Sequence, residues 1–130
     1  DYVEDIFLRL DIYNDISNAK NDYDINHIVS KLEDVYGPIP DYLKNLFSLT
    51  RVKIEGNRIK ADKIKINKEN TVITLNPKSL INNDKLINHF VLKNKIKLTD
   101  QYNLKYQNIS KDNFCELCEE VISMMKDVSD

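Results

Sequence analysis

Cys115 and Cys118 form a C-x-x-C pair, the spacing in this 130-residue sequence that most directly suggests chemistry. Two thiolates at this spacing can hold half of a zinc site or act as a redox pair. A thiolate zinc site needs about four ligands, and the other soft candidates, His27 and His89, are far apart without ligand spacing. Because Cys118 also belongs to an apolar helical stripe, we interpret the pair as buried or half-buried helical cysteines. A metal or redox enzyme that uses both thiols is an alternative.

No other set of residues has the arrangement of a catalytic site. Neither histidine accompanies a serine or cysteine nucleophile signature, so both are interpreted as surface or packing residues. Asp11 and Asp15 are four residues apart on a predicted helix and could share a cation, but two acids on a solvated helix face are common. Gly37 and Gly56 are the only glycines, so no glycine-rich loop can cradle a phosphate. We therefore predict no enzyme activity, no cofactor and no metal for this chain.

Charge is distributed unevenly along a chain whose net charge is only −2. Residues 1–24 hold seven acids against two basic residues, and residues 51–68 hold seven basic residues against two acids. The basic stretch lacks the interleaved aromatic residues of a nucleic-acid motif. We interpret it as a solvated lysine face of a domain that docks onto another protein through mixed polar contacts. A nucleic-acid-binding accessory module using residues 51–68 is the alternative function.

Length and hydropathy limit the class of protein. A chain of 130 residues is one domain by size, and it can bury roughly two-thirds of its unfolded surface. No apolar run approaches the ~18 residues of a membrane span, and the acidic first residues lack the features of a signal peptide. The cysteines give no sign of an oxidising compartment, so we expect a cytoplasmic protein without a membrane partner. Because the chain begins without Met, we expect it to be a segment of a longer protein.

Apolar spacing predicts four helices, over residues 6–16, 25–36, 43–54 and 114–125. The first is marked by four apolar residues, Ile6, Leu10, Tyr13 and Ile16. In the last, apolar residues recur at i, i+3, i+4, i+7, i+8 and i+11, namely Phe114, Leu117, Cys118, Val121, Ile122 and Met125. The candidate N-caps of the second and last helices are short polar residues, Asn21, Asp22, Asp24, Ser110 and Asp112.

The sequence YGPIP, residues 36–40, separates the second predicted helix from the third. Gly37 lies where a left-handed cap would strain any residue with a Cβ. Pro38 prevents the helix from continuing because it has no N–H. Pro40 is compatible with the first turn of the third helix. Gly56 is expected to weaken the far end of that helix by about 1 kcal/mol relative to alanine.

The middle of the chain predicts strands and one further short helix. Residues 63–66 and 71–75 flank the turn NKEN and predict a hairpin. Residues 96–98 and 102–106 predict a second hairpin around TDQ. Between them, Asn76-Pro77 predicts the start of a short helix that NND breaks. The predicted fold class is α+β, with a helical N-terminal part, a small mostly antiparallel sheet and a C-terminal amphipathic helix.

Two motifs within residues 1–55 carry a family resemblance. The first is D-Y-V-x-D followed by R-L-x-x-Y-x-x-I-x-x-A, which occupies residues 1–5 and 9–19. The second is D-V-Y-G-x-x-P, residues 34–40, followed by a leucine-rich helix. In this order and spacing the motifs resemble the C-terminal domain of bacterial transcription-repair coupling factors, the Mfd family. Glu4 and Val35 depart from the family pattern, which often has proline and usually has arginine at these positions.

The resemblance implies that residues 1–130 are the non-catalytic, regulatory C-terminal domain of a multidomain ATP-driven DNA translocase. The whole factor displaces stalled RNA polymerase and recruits UvrA in transcription-coupled DNA repair. In the resting factor this domain packs on the N-terminal UvrB-like module of the same chain and masks the UvrA-binding surface, as an autoinhibitory clamp. The implied partners are that module and, in the full protein, RNA polymerase, UvrA and DNA.

The candidate interdomain interface is the end of the second predicted helix, with Lys31, Asp34, Val35 and Tyr36. Asp34 matches the family motif, whereas Lys31 is included by its position and requires a complementary charge. A reversible interdomain contact is expected to be modest in area and rather polar. Tethering supplies effective concentration, so the individual contacts can be weak.

Overall fold

Five helical segments and four strands follow one another along residues 2–100 and 102–130, the part of the chain described by this computed structural model. They are α1 (Ile6–Asn18), α2 (Asp22–Tyr36), α3 (Asp41–Arg58), β1 (Ala61–Ile66), β2 (Asn70–Leu75), α4 (Asn83–Leu86) continued by a π-helical turn (Ile87–Val91), β3 (Ile96–Leu98), β4 (Asn103–Gln107) and α5 (Phe114–Asp127). The predicted α+β class, with a helical N-terminal part and a C-terminal helix, is confirmed. No helix in the described ranges has the length and apolar character needed to cross a bilayer.

Local backbone chemistry sets both ends of α2. The Asn21 side chain accepts a hydrogen bond from the Asp24 N–H at 2.8 Å, so Asn21 is the N-cap among the predicted candidates. Gly37 ends the helix at φ 87° and ψ −160°, and only glycine adopts such a positive φ without a steric cost. The predicted need for glycine is confirmed, although its ψ lies outside the left-handed helical region. Pro40 then directly precedes Asp41, the first residue of α3.

The helix α3 contributes to two apolar clusters. Its first half places Leu43 and Phe47 in a helical cluster, completed by the buried residues Ile16, Ile25, Leu32 and Ile39. Its second half places Val52 in a sheet cluster, and Ile59 follows at the C-cap. The sheet cluster is completed by residues of the strands and of α5, including Ile73, Ile96, Leu104, Leu117, Val121 and Met125.

The four strands form one antiparallel sheet in the order β1-β2-β4-β3. Both predicted hairpins are confirmed, β1 with β2 and β3 with β4, and the central pair β2–β4 joins them. Of the predicted turn TDQ, Gln101 lies outside the described residues. One face of the sheet presents Ile73, Leu104 and Tyr106 to the sheet cluster. The opposite face is the outer face.

The predicted start of the short helix at Asn76-Pro77 is wrong, although a helix does form later in this segment. The Asn76 side chain accepts a hydrogen bond from the Lys78 N–H at 2.8 Å, and the Ser79 N–H donates to the Asn76 carbonyl at 2.9 Å, which closes a turn. An asparagine that bonds its own following backbone competes with helix formation. The helix α4 starts later, where Asn82 accepts from the Lys85 N–H at 3.1 Å. The NND segment therefore begins the helix and does not break it.

The N-cap of α5 also differs from the prediction. Asn113 accepts from the Glu116 N–H at 3.0 Å and caps the helix, so neither Ser110 nor Asp112 does. The Ser110 N–H is already bound to the Glu120 carboxylate at 2.6 Å, and Glu120 also accepts from the Tyr106 hydroxyl. Burial by itself raises the pKa of Glu120, but these hydrogen bonds outweigh it and lower the pKa below its ordinary value. The carboxylate thus ties β4 to α5.

Gly56 has a packing role that its low helix propensity does not reveal. An ideal Cβ on Gly56 would lie 2.6 Å from Ile64 Cδ1, closer than carbon atoms approach. The absence of a side chain therefore lets β1 lie close against α3. The offending atom is the end of a half-buried side chain on an edge strand, so it can be moved or removed.

We expect Gly56→Ala to be more favourable to stability when Ile64 is shortened than in the wild-type background. In an Ile64→Val background the new methyl fits, and the free energy of unfolding rises by up to about 1 kcal/mol through helix propensity. In the wild-type background the methyl must displace Cδ1, so the gain is smaller or becomes a loss. Chemical denaturation of the four proteins gives the coupling energy. Equal effects of Gly56→Ala in both backgrounds would contradict the close contact.

Candidate functional site

The two motifs that carry the family resemblance meet in space at the end of α2. The Tyr2 hydroxyl lies 2.6 Å from the Gly37 carbonyl oxygen and 3.2 Å from that of Leu32, and it donates to these acceptors. The Tyr2 and Tyr36 rings are in contact, with centroids 5.6 Å apart. The first motif residue, Asp1, lies outside the described residues. The segment before α1 therefore fixes the position of the α2 C-terminus.

A surface groove of about 690 Å³ runs between α1 and α2. Three of the four predicted interface residues, Lys31, Val35 and Tyr36, line this groove. Asp34 does not line it and is exposed on an adjacent side of α2. Three of the residues predicted for the interface therefore lie on the α2 wall of this groove. We name the groove and its rim the α1–α2 groove.

The other wall of the α1–α2 groove comes from α1, and the sequence analysis missed it as part of the site. Leu8, Ile12 and Asp15 line it, together with Asp11. Leu8 and Ile12 are four residues apart, so they share one face of the helix. That spacing is visible in the sequence. The predicted stripe of this helix, however, lies on another face and consists of Ile6, Leu10, Tyr13 and Ile16.

Apolar side chains stay exposed around the α1–α2 groove. Tyr23 is 75% exposed, Val35 65% and Leu8 46%. In the predicted α1 stripe only Ile16 is buried, while Ile6, Leu10 and Tyr13 are exposed. The helix α1 is therefore confirmed as a helix, but most of its apolar surface lies outside the helical cluster. Adjacent apolar surface of this kind marks interaction sites in folded proteins.

The charges of the α1–α2 groove are mixed. Asp11 and Asp15 of α1 and Asp24 of α2 line it, and Lys31 is the lysine among its lining residues. The His27 ring stacks on Tyr23 at an interplanar angle of 12°. Apolar residues with charges at the edge form the usual pattern of a reversible protein interface.

The C-x-x-C pair lies in the first half of α5, where it has the environment predicted for helical packing residues. Cys118 is fully buried and Cys115 is half-buried. Burial, followed by the nearby Cys115 and Glu119, raises the pKa of the Cys118 thiol to about 11. No group of three or more His, Cys, Asp or Glu side chains within residues 2–100 and 102–130 is arranged to hold a metal ion.

His89 is exposed, with its Nδ1 3.0 Å from Asp127 Oδ1.

The basic stretch 51–68 does not form a single surface. Arg51 donates to the Asn26 side chain at 2.8 Å, and Arg58 binds the buried Glu55 carboxylate. Lys63 and Lys65 instead belong to β1, where their Cα partners are Thr74 and Val72 of β2. The positive charge of this stretch is thus divided between α3 and the outer face of the sheet.

We expect the two thiols to differ in reactivity. The thiolate is the nucleophile, so iodoacetamide at neutral pH should alkylate Cys115 in the native protein and leave Cys118 unmodified. Mass spectrometry of the digested protein measures both positions, and labelling in denaturant provides the control in which both react. Equal native labelling of the two cysteines would contradict the burial of Cys118.

Comparison with known proteins gives a consistent family match. The family model described as TRCF domain matches residues 1–86. A transcription-repair-coupling factor of Buchnera aphidicola is 29% identical over 117 residues, and one of Haemophilus influenzae is 24% identical over 131 residues. These matches cover 89% and 99% of this chain but only 14% and 11% of the relatives. The chain thus spans a small part of the length of the curated relatives it matches.

A solved structure has the same fold. The crystal structure of the C-terminal domain of a transcription-repair coupling factor superposes with a TM-score of 0.74. The superposition covers 96% of this chain and 84% of that chain at 16% sequence identity. At this identity the match establishes the shared fold.

Proposed function

This chain belongs to the TRCF domain family, and we propose that it is the regulatory C-terminal domain of a multidomain transcription-repair coupling factor. The relatives that it matches carry that name, and the matched crystal structure is of a C-terminal domain. In this proposal the chain is non-catalytic and acts in the cytoplasm. The ATP-driven DNA translocase activity and the contacts with RNA polymerase belong to other parts of the parent protein.

The proposed mechanism is autoinhibition by a reversible intramolecular contact. The α1–α2 groove packs on the N-terminal UvrB-like module of the same chain and thereby masks the surface that binds UvrA. The observation that carries this proposal is the exposure of Tyr23, Val35 and Leu8 around one groove. Such side chains gain roughly 25 cal/mol for each Å² of apolar surface that a partner removes from water.

The size and polarity of the α1–α2 groove suit a contact that must open again. Permanent interfaces bury large apolar areas, whereas interdomain contacts within a chain are smaller and more polar. The acids of α1 and Lys31 at the edge can select the partner by charge complementarity while contributing little net affinity. A weak contact is sufficient because both modules are held in one chain.

Lys31, Asp34, Val35 and Tyr36 have different parts in this proposal. Val35 provides an apolar contact in place of the arginine that is usual in the family, and Lys31 provides a charge beside it. Tyr36 packs on Tyr2 and supports the helix end. Asp34 is exposed outside the groove, where it can reach the edge of a docked partner.

We expect Val35→Glu to open the clamp. The variant places a charge in the apolar contact, so binding of the chain to the N-terminal module should weaken at least about tenfold, which corresponds to about 1.4 kcal/mol. In the parent protein the same change should increase binding of UvrA. Calorimetry of the separate modules and a UvrA pull-down with the parent protein measure the two effects.

The matched control is Leu92→Glu. Leu92 is 69% exposed, close to the 65% of Val35, and it follows the π-helical turn away from the α1–α2 groove. Neither change should alter folding, because both side chains project largely into solvent. Unchanged module binding in Val35→Glu, or an equal loss in Leu92→Glu, would argue against a clamp at this groove.

A further inference from the structure

The outer face of the sheet carries lysines from three strands. Lys97 on β3 is the Cα partner of Lys105 on β4. Lys105 is in turn the partner of Val72 on β2, and Val72 that of Lys65 on β1. These residues form one row across the sheet, and Lys63 lies on the same face two residues from Lys65. With Lys95 just before β3, we call this set the sheet lysines, namely Lys63, Lys65, Lys95, Lys97 and Lys105, all of them exposed.

Three of the sheet lysines converge on one shallow depression of about 190 Å³. It is lined by Lys95, Lys97 and Lys105 together with Glu69, Asn70, Asn94 and Gln107. Its single carboxylate, Glu69, is bound to Lys111 at 2.6 Å. Among residues 2–100 and 102–130 no sheet lysine forms an ion pair with a carboxylate. The positive charge of this face is therefore not neutralised by the fold.

A buried polar network holds the two hairpins in register beneath these lysines. The Asn108 amide donates to the carbonyl oxygens of Asn67 at 2.6 Å and Lys68 at 3.1 Å. Its side-chain oxygen accepts from the buried Thr71 hydroxyl at 2.9 Å. The turn between β1 and β2 is thereby fixed to the end of β4. The spacing between the lysines of β1 and those of β4 is consequently set by the fold.

The arrangement is unfavourable for the domain alone. Like charges directly opposite one another on a sheet are destabilising, and Lys97 faces Lys105 in this way. The row from β1 to β3 extends over roughly 14 Å, three strand spacings. A polyanion lying along the row would relieve this repulsion at several positions at once.

The chemistry between the lysines favours phosphates over a protein partner. The cores of protein interfaces are enriched in aromatic residues and depleted of lysine. The remaining outward positions of the described strands are mostly small and polar, with Asn70, Thr74, Asn103 and Gln107 beside Val72. Binding of single-stranded nucleic acid relies on aromatic stacking platforms, which these positions do not provide. Lysines with interleaved amide and hydroxyl groups instead match the sugar-phosphate backbone of a duplex.

We propose that the sheet lysines bind the phosphate backbone of double-stranded nucleic acid without reading its sequence. This surface lies on a different element from the α1–α2 groove, so it can be tested independently of the clamp. It also differs from residues 51–68 taken as a stretch, since three of its five lysines come from the β3–β4 region.

The test is fluorescence anisotropy of a labelled duplex of ~20 base pairs with the 130-residue chain, between about 50 and 200 mM salt. The wild-type chain should bind with a dissociation constant in the range of roughly 10⁻⁴ to 10⁻⁶ M typical of non-specific contacts. The triple variant Lys65→Gln/Lys97→Gln/Lys105→Gln should bind at least about tenfold more weakly. The slope of log affinity against log salt should fall by about one for each lysine removed.

The matched control is Lys20→Gln/Lys44→Gln/Lys126→Gln. These three exposed lysines lie between α1 and α2, on α3 and on α5, so the control removes the same net charge away from the outer face of the sheet. Charges farther away than the Debye length of about 10 Å at 0.1 M salt contribute little, and the control should retain the wild-type slope. Circular dichroism melting curves verify that both triple variants fold.

Four outcomes would overturn the proposal. They are no salt-dependent binding by the wild-type chain, an equal loss in both triple variants, tighter binding to a single strand than to the duplex, and binding to vesicles containing phosphatidylserine without binding to the duplex. Loss of duplex binding in the sheet variant alone would support it. Binding of the sheet variant to the N-terminal module is measured in parallel. This measurement distinguishes a loss of duplex binding from a loss of the clamp contact at the α1–α2 groove.

Discussion

The sharing of α3 between two apolar clusters holds the two halves of the structure together. Leu43 and Phe47 pack among α1 and α2, and Val52 and Ile59 pack under the sheet with α5. An α-helix is stiff and rises about 1.5 Å per residue, so its 18 residues fix the position of one cluster relative to the other. The close approach of β1 at Gly56 strengthens this coupling. The α1–α2 groove and the outer face of the sheet are therefore held as fixed features of one body.

The arrangement also explains why α1 carries an exposed apolar surface. Of the residues of α1 only Ile16 is fully buried. The helix α1 therefore contributes one buried side chain to the helical cluster and leaves most of its apolar surface exposed. The α2 C-terminus, by contrast, is held by the Tyr2 hydroxyl and by the conformation of Gly37. One wall of the groove is consequently firm and the other is lightly packed. The firm α2 wall is pre-organised for a partner, which lowers the ordering cost of binding, while the side chains of α1 can adjust to it.

Periodicity predicted every long element, because helices with a buried stripe and hairpins with alternating strands leave a regular pattern. Prediction of helix starts from capping residue types failed where a side chain bonds its own following backbone, as at Asn76, where a turn replaced the expected helix start. It also failed at Ser110, whose backbone is held by the distant Glu120. Three of the four expected interface residues line one groove. The spacing of Leu8 and Ile12 on α1 is visible in the sequence, but that they face α2 across the groove depends on tertiary packing. The lysine row depends on pairing between separate strands, which no local spacing reveals.

The coupling of the two clusters through α3 is tested most directly by native-state hydrogen exchange on an Ile25→Val variant. Ile25 is fully buried in the helical cluster, and removing one methylene there should cost about 1 kcal/mol. If α3 joins both clusters into one cooperative unit, the opening free energy of the most protected amides in β2 falls by the same amount as that of the amides in α2. A loss of protection confined to α1 and α2, with β2 unchanged, would contradict the coupling.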